Sequence, residues 1–350
     1  MTTVSSGNNP AHGFCNFFSS IIGTADFPHL LQNLVLSDLS IQNRIVVMYK
    51  ILIATDFSRA AASAADYALR IACSCGMNLS IVHIYSVGLP MVAEETTVSQ
   101  DSLYDLAEND SLRRLSSLEA KLNQDAEQLC NDGFKPLIEV FSTIGVPAAG
   151  IISFFNQKDM SIIVMGIKPE ERYLGTLPGS TIRKLIKWTS VPVLLVPMSF
   201  PPVPIRQIVF ATDLGDSEIT ALDFLAQIAS AYHSDLLIFH NRKSAEEGRR
   251  FLRKEKRFLD KVAQAIDYPK VFYRHKQKDT IEEALAVLEK DSAADMLAMV
   301  HKKHSLIGEL LGGDKTLKMI SRTRVPLIIF PQGFTTSPGP ASLGERQLHN

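Results

Sequence analysis

Short apolar runs alternate along this chain with longer segments whose apolar residues recur at helical spacing. In the segment Ser58–Cys75, for example, Ala61, Ala65 and Ala68 would share one face of a helix. The apolar runs are about four to eight residues long, as in strands buried on both faces. In the first part of the chain they lie at about 50–55, 79–85, 137–141, 161–165 and 193–196. Strands that alternate with helices predict an α/β fold, with a parallel, doubly wound sheet and helices on both faces.

Three segments of the first part recur in the same order later in the chain. The pairs are 49–57 with 206–214, 161–166 with 295–300, and 191–197 with 325–331. The last two pairs share an offset of 134 residues, whereas the first has an offset of 157. The first unit therefore carries about 23 extra residues. The sequence predicts two tandem doubly wound parallel five-stranded sheets.

The extra residues fit Ser86–Asp110, a polar and acidic stretch that we expect to be a surface excursion before a helix over Leu112–Leu129. The expected divisions are an N-terminal extension at 1–47, a first domain at 48–199, a linker at 200–204, a second domain at 205–332 and a disordered tail at 333–350. Met48 immediately precedes the first strand. We therefore hypothesise that the working protein begins there, with 1–47 either an overrun of the assigned start or a poorly ordered extension.

Composition and charge narrow the class of protein. The chain has 36 basic and 37 acidic side chains and a net charge of −1, which gives no reason to expect a nucleic-acid partner. It has no run of about 18 apolar residues, so no membrane partner is predicted. Its four cysteines all lie within the first 130 residues and are too scattered for a disulfide framework. They favour free thiols in a reducing compartment, and the cytoplasm is the expected location.

The end of the first strand carries candidate chemistry. In an open parallel sheet, ligands lie beyond the carboxyl ends of the strands, where the strand order reverses. Thr55 and Asp56 follow the apolar run, and an acid at this place can bond a ribose hydroxyl or a base edge. The alternative is that Asp56 caps the following helix, with Ser58 as a rival cap.

A glycine-containing loop follows the fourth strand and opens the last helix of the first unit. Gly166 has no Cβ, so a ligand could approach the backbone there. Gly179, Ser180 and Thr181 would place N–H groups and two hydroxyls at a helix N-terminus, where anions bind. The alternative is an ordinary connection in which Ser180 only caps the helix.

Together, these two segments resemble the universal stress protein family. Its nucleotide-binding members carry Gly-x2-Gly-x9-Gly-(Ser/Thr) before the last helix. Gly166, Pro169, Gly179 and Ser180 reproduce that spacing, with Pro169 in place of the second glycine. A first strand that ends in aspartate is also typical of the family. The resemblance implies a Rossmann-like nucleotide-binding fold for each unit.

The resemblance also implies which residues of the first unit would hold ATP or AMP. They are Thr55, Asp56 and Ile84 for adenosine, and Met165, Gly166, Gly179, Ser180 and Thr181 for ribose and phosphates. Pro169 puts one contact in doubt because proline offers no N–H. Whether Mg²⁺ binds together with the phosphates is left open, and no metal site made of protein ligands is predicted.

The second unit keeps Thr212 and Asp213 at its first strand end but departs from the pattern at the phosphate end. The residues that lie 134 positions after those assigned to the first phosphate loop are Val300, Lys303, Gly313, Asp314 and Lys315. Asp314 would bring a carboxylate towards phosphate oxygens, and two like charges about 4 Å apart repel by roughly 4 kcal/mol at an effective dielectric near 20. The hypothesis is that the first unit binds ATP and the second does not.

The favoured function is a regulatory stress-response module of the cytoplasm that binds an adenine nucleotide. Because no general base, metal cluster or activated nucleophile stands out beside the loop, an efficient enzyme is not expected, although slow ATP hydrolysis stays open. One alternative is an ATP-dependent enzyme of a related adenine-nucleotide fold. Such an enzyme would carry a Ser-Gly-Gly-x-Asp-Ser type of loop where this chain has Asp56-Phe-Ser-Arg. The other alternative is a nucleotide-free scaffold.

The family resemblance has one further implication, for assembly. Its members commonly pair their last strands across a dimer interface. We therefore expect Val193–Val196 to pair with Leu327–Phe330 inside this chain as a pseudo-dimer, and a further homodimer stays open.

Overall fold

The apolar runs form strands, and alternate residues of each strand pack against opposite faces of a sheet. In the computed structural model the described residues are 50–87, 100–130, 134–157, 160–168, 180–198, 200–201, 203–242, 248–277, 294–301 and 324–335. All of them belong to one compact unit, residues 48–350. We call residues 50–198 half 1 and residues 203–335 half 2.

Half 1 alternates strands with helices. Its elements are β1 (Lys50–Thr55), α1 (Arg59–Cys75), β2 (Asn78–Tyr85), α2 (Gln100–Leu129), β3 (Ile138–Ile144), α3 (Pro147–Gln157), β4 (Ile162–Ile167), α4 (Ser180–Trp188) and β5 (Val193–Pro197). Half 2 follows the same scheme. Its described elements are β6 (Gln207–Thr212), a 3₁₀ turn (Asp216–Glu218), α5 (Ile219–Tyr232), β7 (Asp235–Arg242), α6 (Arg249–Ala265), β8 (Val271–Gln277), β9 (Met296–Val300) and β10 (Leu327–Phe330).

The ten strands form one sheet in the order β3-β2-β1-β4-β5-β10-β9-β6-β7-β8. Within each half all strand pairs are parallel. The halves join where β10 runs antiparallel to β5, with Leu327 opposite Leu195 and Ile329 opposite Val193. These are the two strands for which the sequence predicted pairing. The α/β class is therefore confirmed, and the two predicted five-stranded sheets are halves of a single sheet.

Helices cover both faces of this sheet, as expected for a doubly wound fold. Buried side chains of α1, α2, α5 and α6 share one core with Ile51 and Ile53 of β1. Buried side chains of α3 and α4 share the opposite core with Leu52 and Ala54. The alternation along β1 reflects the two-residue period of a strand. Among the described residues, no helix has the length and hydrophobicity that crossing a membrane requires.

The boundary of α2 differs from the prediction. The helix begins at Gln100, so residues 100–110 are helical rather than part of an irregular excursion. Leu103 and Ala107 are half-buried, and Ser111 and Leu115 are buried, at a spacing of four. The polar composition concealed this stripe, since all the residues between these positions except the half-buried Tyr104 are exposed.

The cysteine prediction is wrong for one pair. Cys73, near the end of α1, is disulfide-bonded to Cys130, just after α2. The two cysteines are 57 residues apart in sequence, and only the packing of α1 against α2 brings them together. Cys75 is a free thiol, and burial raises its pKa to about 12. A thiol with so high a pKa remains protonated and is a poor partner for disulfide exchange.

Packing of half 2 extends to Phe334. The folded part continues beyond residue 332, because Phe334 is buried and its ring packs edge-on against Phe224 with centroids 5.8 Å apart. The remaining tail, from residue 336 onwards, lies outside the described residues, as does the extension 1–47.

Candidate functional site

The loop after β1 is fixed by its own side chains. Ser58 is the N-cap of α1, and its hydroxyl accepts a hydrogen bond from the backbone N–H of Ala61 at 3.2 Å. Asp56 does not cap the helix in this way. One of its carboxylate oxygens, Oδ1, accepts from the backbone N–H of Ser58 at 2.9 Å, and its side chain is exposed. The Thr55 hydroxyl accepts from the N–H of Phe57 at 3.0 Å. Ser58, the rival cap in the sequence analysis, is thus the observed N-cap, and the side chain of Asp56 faces solvent.

The strand register brings the predicted residues of β1 and β4 to one place. Ile53 lies opposite Val164, and continuing this parallel register sets Thr55 level with Gly166. On its other side Thr55 lies opposite His83 of β2. The strand order reverses between β1 and β4, since β2 and β3 lie to one side of β1 and β5 lies beyond β4. Thr55 and Gly166 therefore flank the crevice in which open parallel sheets bind ligands.

Gly166 is required by packing as well as by any ligand. A Cβ atom at this position would overlap the carbonyl group of Ala60 and lie 2.6 Å from the amide nitrogen of Ala61. The first turn of α1 therefore rests directly on the end of β4. The sequence attributed this glycine to ligand approach alone, and the nearby helix is visible only in the tertiary structure.

The other predicted residues are distributed between the described and undescribed parts of the chain. Met165 is half-buried in β4, next to Gly166. Ser180 is the first residue of α4 and is exposed, and Thr181 follows it half-buried, so the predicted helix start is correct. Pro169 and Gly179 lie outside the described residues.

Ile84 lies one residue beyond the last β1–β2 pair, since the ladder ends with Thr55 opposite His83. Its side chain points towards α3, where a Cβ atom on Gly150 would come within 2.9 Å of Ile84 Cδ1. The main chain of Ile84, which is the part that the family resemblance assigns to adenosine, stands just past the end of β1.

A series of hydrogen-bonded side chains that the sequence did not predict reaches the crevice through His83. Its Nδ1 atom is 2.7 Å from the hydroxyl of buried Ser111, which is 2.6 Å from the hydroxyl of Ser142. The ring of Phe57 covers His83 with centroids 4.5 Å apart, and the Arg114 guanidinium lies 4.2 Å from the centre of the Phe57 ring. Only the position of His83 at a strand end could have indicated this arrangement from sequence.

Burial lowers the pKa of His83, and the positive charge of Arg114 lowers it further. The carboxylates of Asp56 and Asp110 act in the opposite direction. The imidazole is thus biased towards its neutral form, in which one ring nitrogen donates and the other accepts. This edge of half 1 therefore presents a carboxylate, hydroxyls and a neutral imidazole. Among the described residues there is no cluster of three potential metal ligands.

The equivalent edge of half 2 is built differently. Val300, which stands at the position of Gly166, is buried, and a 3₁₀ turn precedes α5. His240 is buried, stacks on Phe251 with centroids 5.6 Å apart, and its Nδ1 atom lies 2.8 Å from the carbonyl oxygen of Thr212. Lys254 donates to the carbonyl oxygen of Asp213 at 2.7 Å.

The predicted counterparts at 303 and 313–315 lie outside the described residues of half 2. The carboxyl edges of the two halves therefore share strand order but not chemistry.

The fold and the crevice define a doubly wound α/β protein with a strand-end site of the kind that binds small ligands. Residues 48–197 match the family model of the universal stress protein family. A curated relative is the universal stress protein Slr1230 of Synechocystis, which is 24% identical over 295 residues, covering 81% of this chain and all of the relative. A solved universal stress protein from Archaeoglobus fulgidus has a TM-score of 0.60 at 19% identity, covering 81% of this chain and 98% of that one, and so shares its fold.

Proposed function

We propose that half 1 binds ATP or AMP at the carboxyl ends of β1 and β4, and that the chain acts as a regulatory stress-response module rather than as an efficient enzyme. The observation that carries the proposal is the crevice between β1 and β4, where Thr55 and Gly166 lie at one level and Asp56 follows directly. The match of residues 48–197 to the universal stress protein family model supports the stress-response role.

The geometry around Asp56 supports recognition of a ribose. Its Oδ1 atom is held by the N–H of Ser58, which orients the carboxylate, and the exposed side chain leaves Oδ2 to accept from ligand hydroxyls. Ser180 and Thr181 begin α4 with hydroxyls at the end of the helix that favours anions. Phosphates are therefore assigned to this end of the crevice, with Mg²⁺ as a companion that the protein itself does not ligate.

We also assign the two halves to one functional unit. The β5–β10 ladder and the buried side chains that α1 and α5 contribute to one core make half 2 a structural partner of half 1, equivalent to the second subunit of a dimer. In this proposal half 2 does not bind ATP.

The test is titration of the full chain with ATP by isothermal calorimetry. A single site per chain is expected. Replacing Asp56 by Ala removes a hydrogen bond to a charged group, which contributes about 1.5–3 kcal/mol and corresponds to a loss of affinity of about 10- to 150-fold. The matched control is Asp213→Ala, the equivalent substitution in half 2, which should leave the affinity unchanged.

Mass spectrometry of the purified protein provides a second measurement, in which retained ATP or AMP supports the proposal. If the chain binds neither nucleotide at millimolar concentration, the nucleotide-free scaffold is the better description. If Asp213→Ala weakens binding as much as Asp56→Ala does, the site is not confined to half 1.

A further inference from the structure

Half 2 contains a buried carboxylate at the place where half 1 has only a methyl group. Glu218 is 1% exposed, although glutamate is almost never fully buried without partners. It ends the 3₁₀ turn before α5, five residues after Asp213. Counting from the aligned Ala-Thr-Asp segments, Glu218 stands where half 1 has Ala61.

Three groups of the strand-end loop donate to this carboxylate. The hydroxyl of Thr212 donates to Oε2 in a short hydrogen bond. The backbone N–H of Asp213 donates to Oε1 at 3.3 Å, and that of Gly215 donates to Oε2 at 3.3 Å. A glutamate at this position of a helix start commonly accepts from the N-cap N–H, which accounts for the bond from Gly215. The bonds from Thr212 and Asp213 are not part of such a cap, because Thr212 is the last residue of β6 and Asp213 directly follows it.

The position of Glu218 relative to the sheet explains its importance. β6 lies between β7 and β9, so the strand order of half 2 reverses between β6 and β9, as that of half 1 does between β1 and β4. In half 1 the backbone at Ala61 rests against the end of β4, which is the strand equivalent to β9. The carboxylate of Glu218, which accepts from Thr212 at the end of β6, therefore lies at the carboxyl edge of the sheet in half 2.

The same loop is open in half 1. There the N–H of Ser58, which is equivalent to that of Gly215, bonds to Asp56 on the solvent side, and the buried side chain at the matching position is the methyl group of Ala61. Half 1 thus has no internal acid at its crevice among the described residues. The two halves therefore differ at the strand end, where half 2 has Glu218 in place of Ala61, as well as in the sequence of the phosphate loop.

We propose that Glu218 is the residue that excludes nucleotide from half 2, because its carboxylate occupies the crevice as an internal anion and engages the N–H donors of Asp213 and Gly215. This inference deepens the proposed function, since it presupposes that the equivalent crevice of half 1 binds nucleotide. A phosphate or ribose oxygen entering half 2 meets a buried negative charge, whereas half 1 has the methyl group of Ala61 at the matching position.

The first experiment follows the backbone amides of Asp213 and Gly215 in the full-length protein by NMR while inorganic phosphate is added. In the wild type we expect no shift. In Glu218→Ala the freed amides should show a saturable shift. Glu218→Gln keeps only one of the two acceptor oxygens and loses the charge, so its amides should respond to phosphate less than those of Glu218→Ala. Unchanged amide signals from Leu327–Ile329 show that the ladder between the halves remains intact in each variant.

The second experiment transfers the acid to half 1. Ala61→Glu should weaken ATP binding at least tenfold, whereas the neutral and equally large Ala61→Gln should weaken it less. The inference is overturned if the Gly215 amide responds to phosphate in the wild type, or if it does not respond in Glu218→Ala. It is also overturned if Glu218→Gln responds like the alanine variant, or if Glu and Gln at position 61 weaken ATP binding equally. If wild-type protein binds no ATP, the proposed function fails, while the Gly215 amide still decides the role of Glu218.

Discussion

Gly166→Ala tests the contact between the end of β4 and the first turn of α1. The added Cβ would overlap the carbonyl group of Ala60 and lie 2.6 Å from the amide nitrogen of Ala61. These are backbone atoms of a helix whose N-cap is already fixed by Ser58, so they cannot rotate away as a side chain can. Either the helix start or the strand end must move.

The expected cost follows from the rigidity of that neighbour. Overpacking a core by one methyl group costs about 1–3 kcal/mol, and a clash with helix backbone belongs at the upper end, about 3 kcal/mol. Each kcal/mol lowers the melting temperature by about 2–4 °C for 150–250 residues and by less for a larger unit, so a decrease of about 6 °C is expected for the compact unit of residues 48–350. Because the loop of Asp56 precedes this turn, ATP affinity should fall as well.

The assay is thermal unfolding followed by circular dichroism, with Gly150→Ala as the matched control. The control makes the same chemical change, but its Cβ meets side-chain atoms of Ile84 at 2.9–3.2 Å rather than helix backbone, and alanine favours the helix by about 1 kcal/mol. We expect the control to shift the melting temperature by less than about 3 °C. A Gly166→Ala protein as stable as the control would refute the packing argument.

Two further predictions concern stability. Reducing the Cys73–Cys130 bond opens a loop of 57 residues, and the chain-entropy model gives a stabilisation of about 4 kcal/mol for such a loop. A reducing agent should therefore lower the melting temperature of the wild type but not that of Cys73→Ser. The control Cys75→Ser should respond like the wild type. In an NMR titration the pKa of His83 should lie below the usual histidine value near 6.5. The neutral imidazole then contributes its full stabilisation above pH 6.5, and this contribution is lost as the pH falls through the lowered pKa. His83→Gln should therefore lose less stability than the wild type between pH 7.5 and pH 5; an equal loss would contradict this prediction.

Local features of the sequence identified the order of the elements and half of the candidate site. The buried runs predicted the strands because a strand buried on both faces needs apolar residues throughout. Thr55 and Asp56 were placed at a strand end because the run stops there, and Ser180 begins its helix as predicted. The helical start of α2 was missed because its acidic residues outweigh a sparse stripe of partly buried positions.

The sequence by itself determined the two successions of strands and helices and the residues that end them, because these depend on periodicity within about ten neighbouring residues. Only the tertiary structure decided the remaining features. The disulfide between Cys73 and Cys130 and the contact of Gly166 with α1 each unite segments far apart in sequence. Glu218 is close to Asp213 in sequence, yet its burial at the crevice depends on the path of the chain before α5. Such contacts arise from packing against the sheet, and the local pattern of residues does not encode that packing.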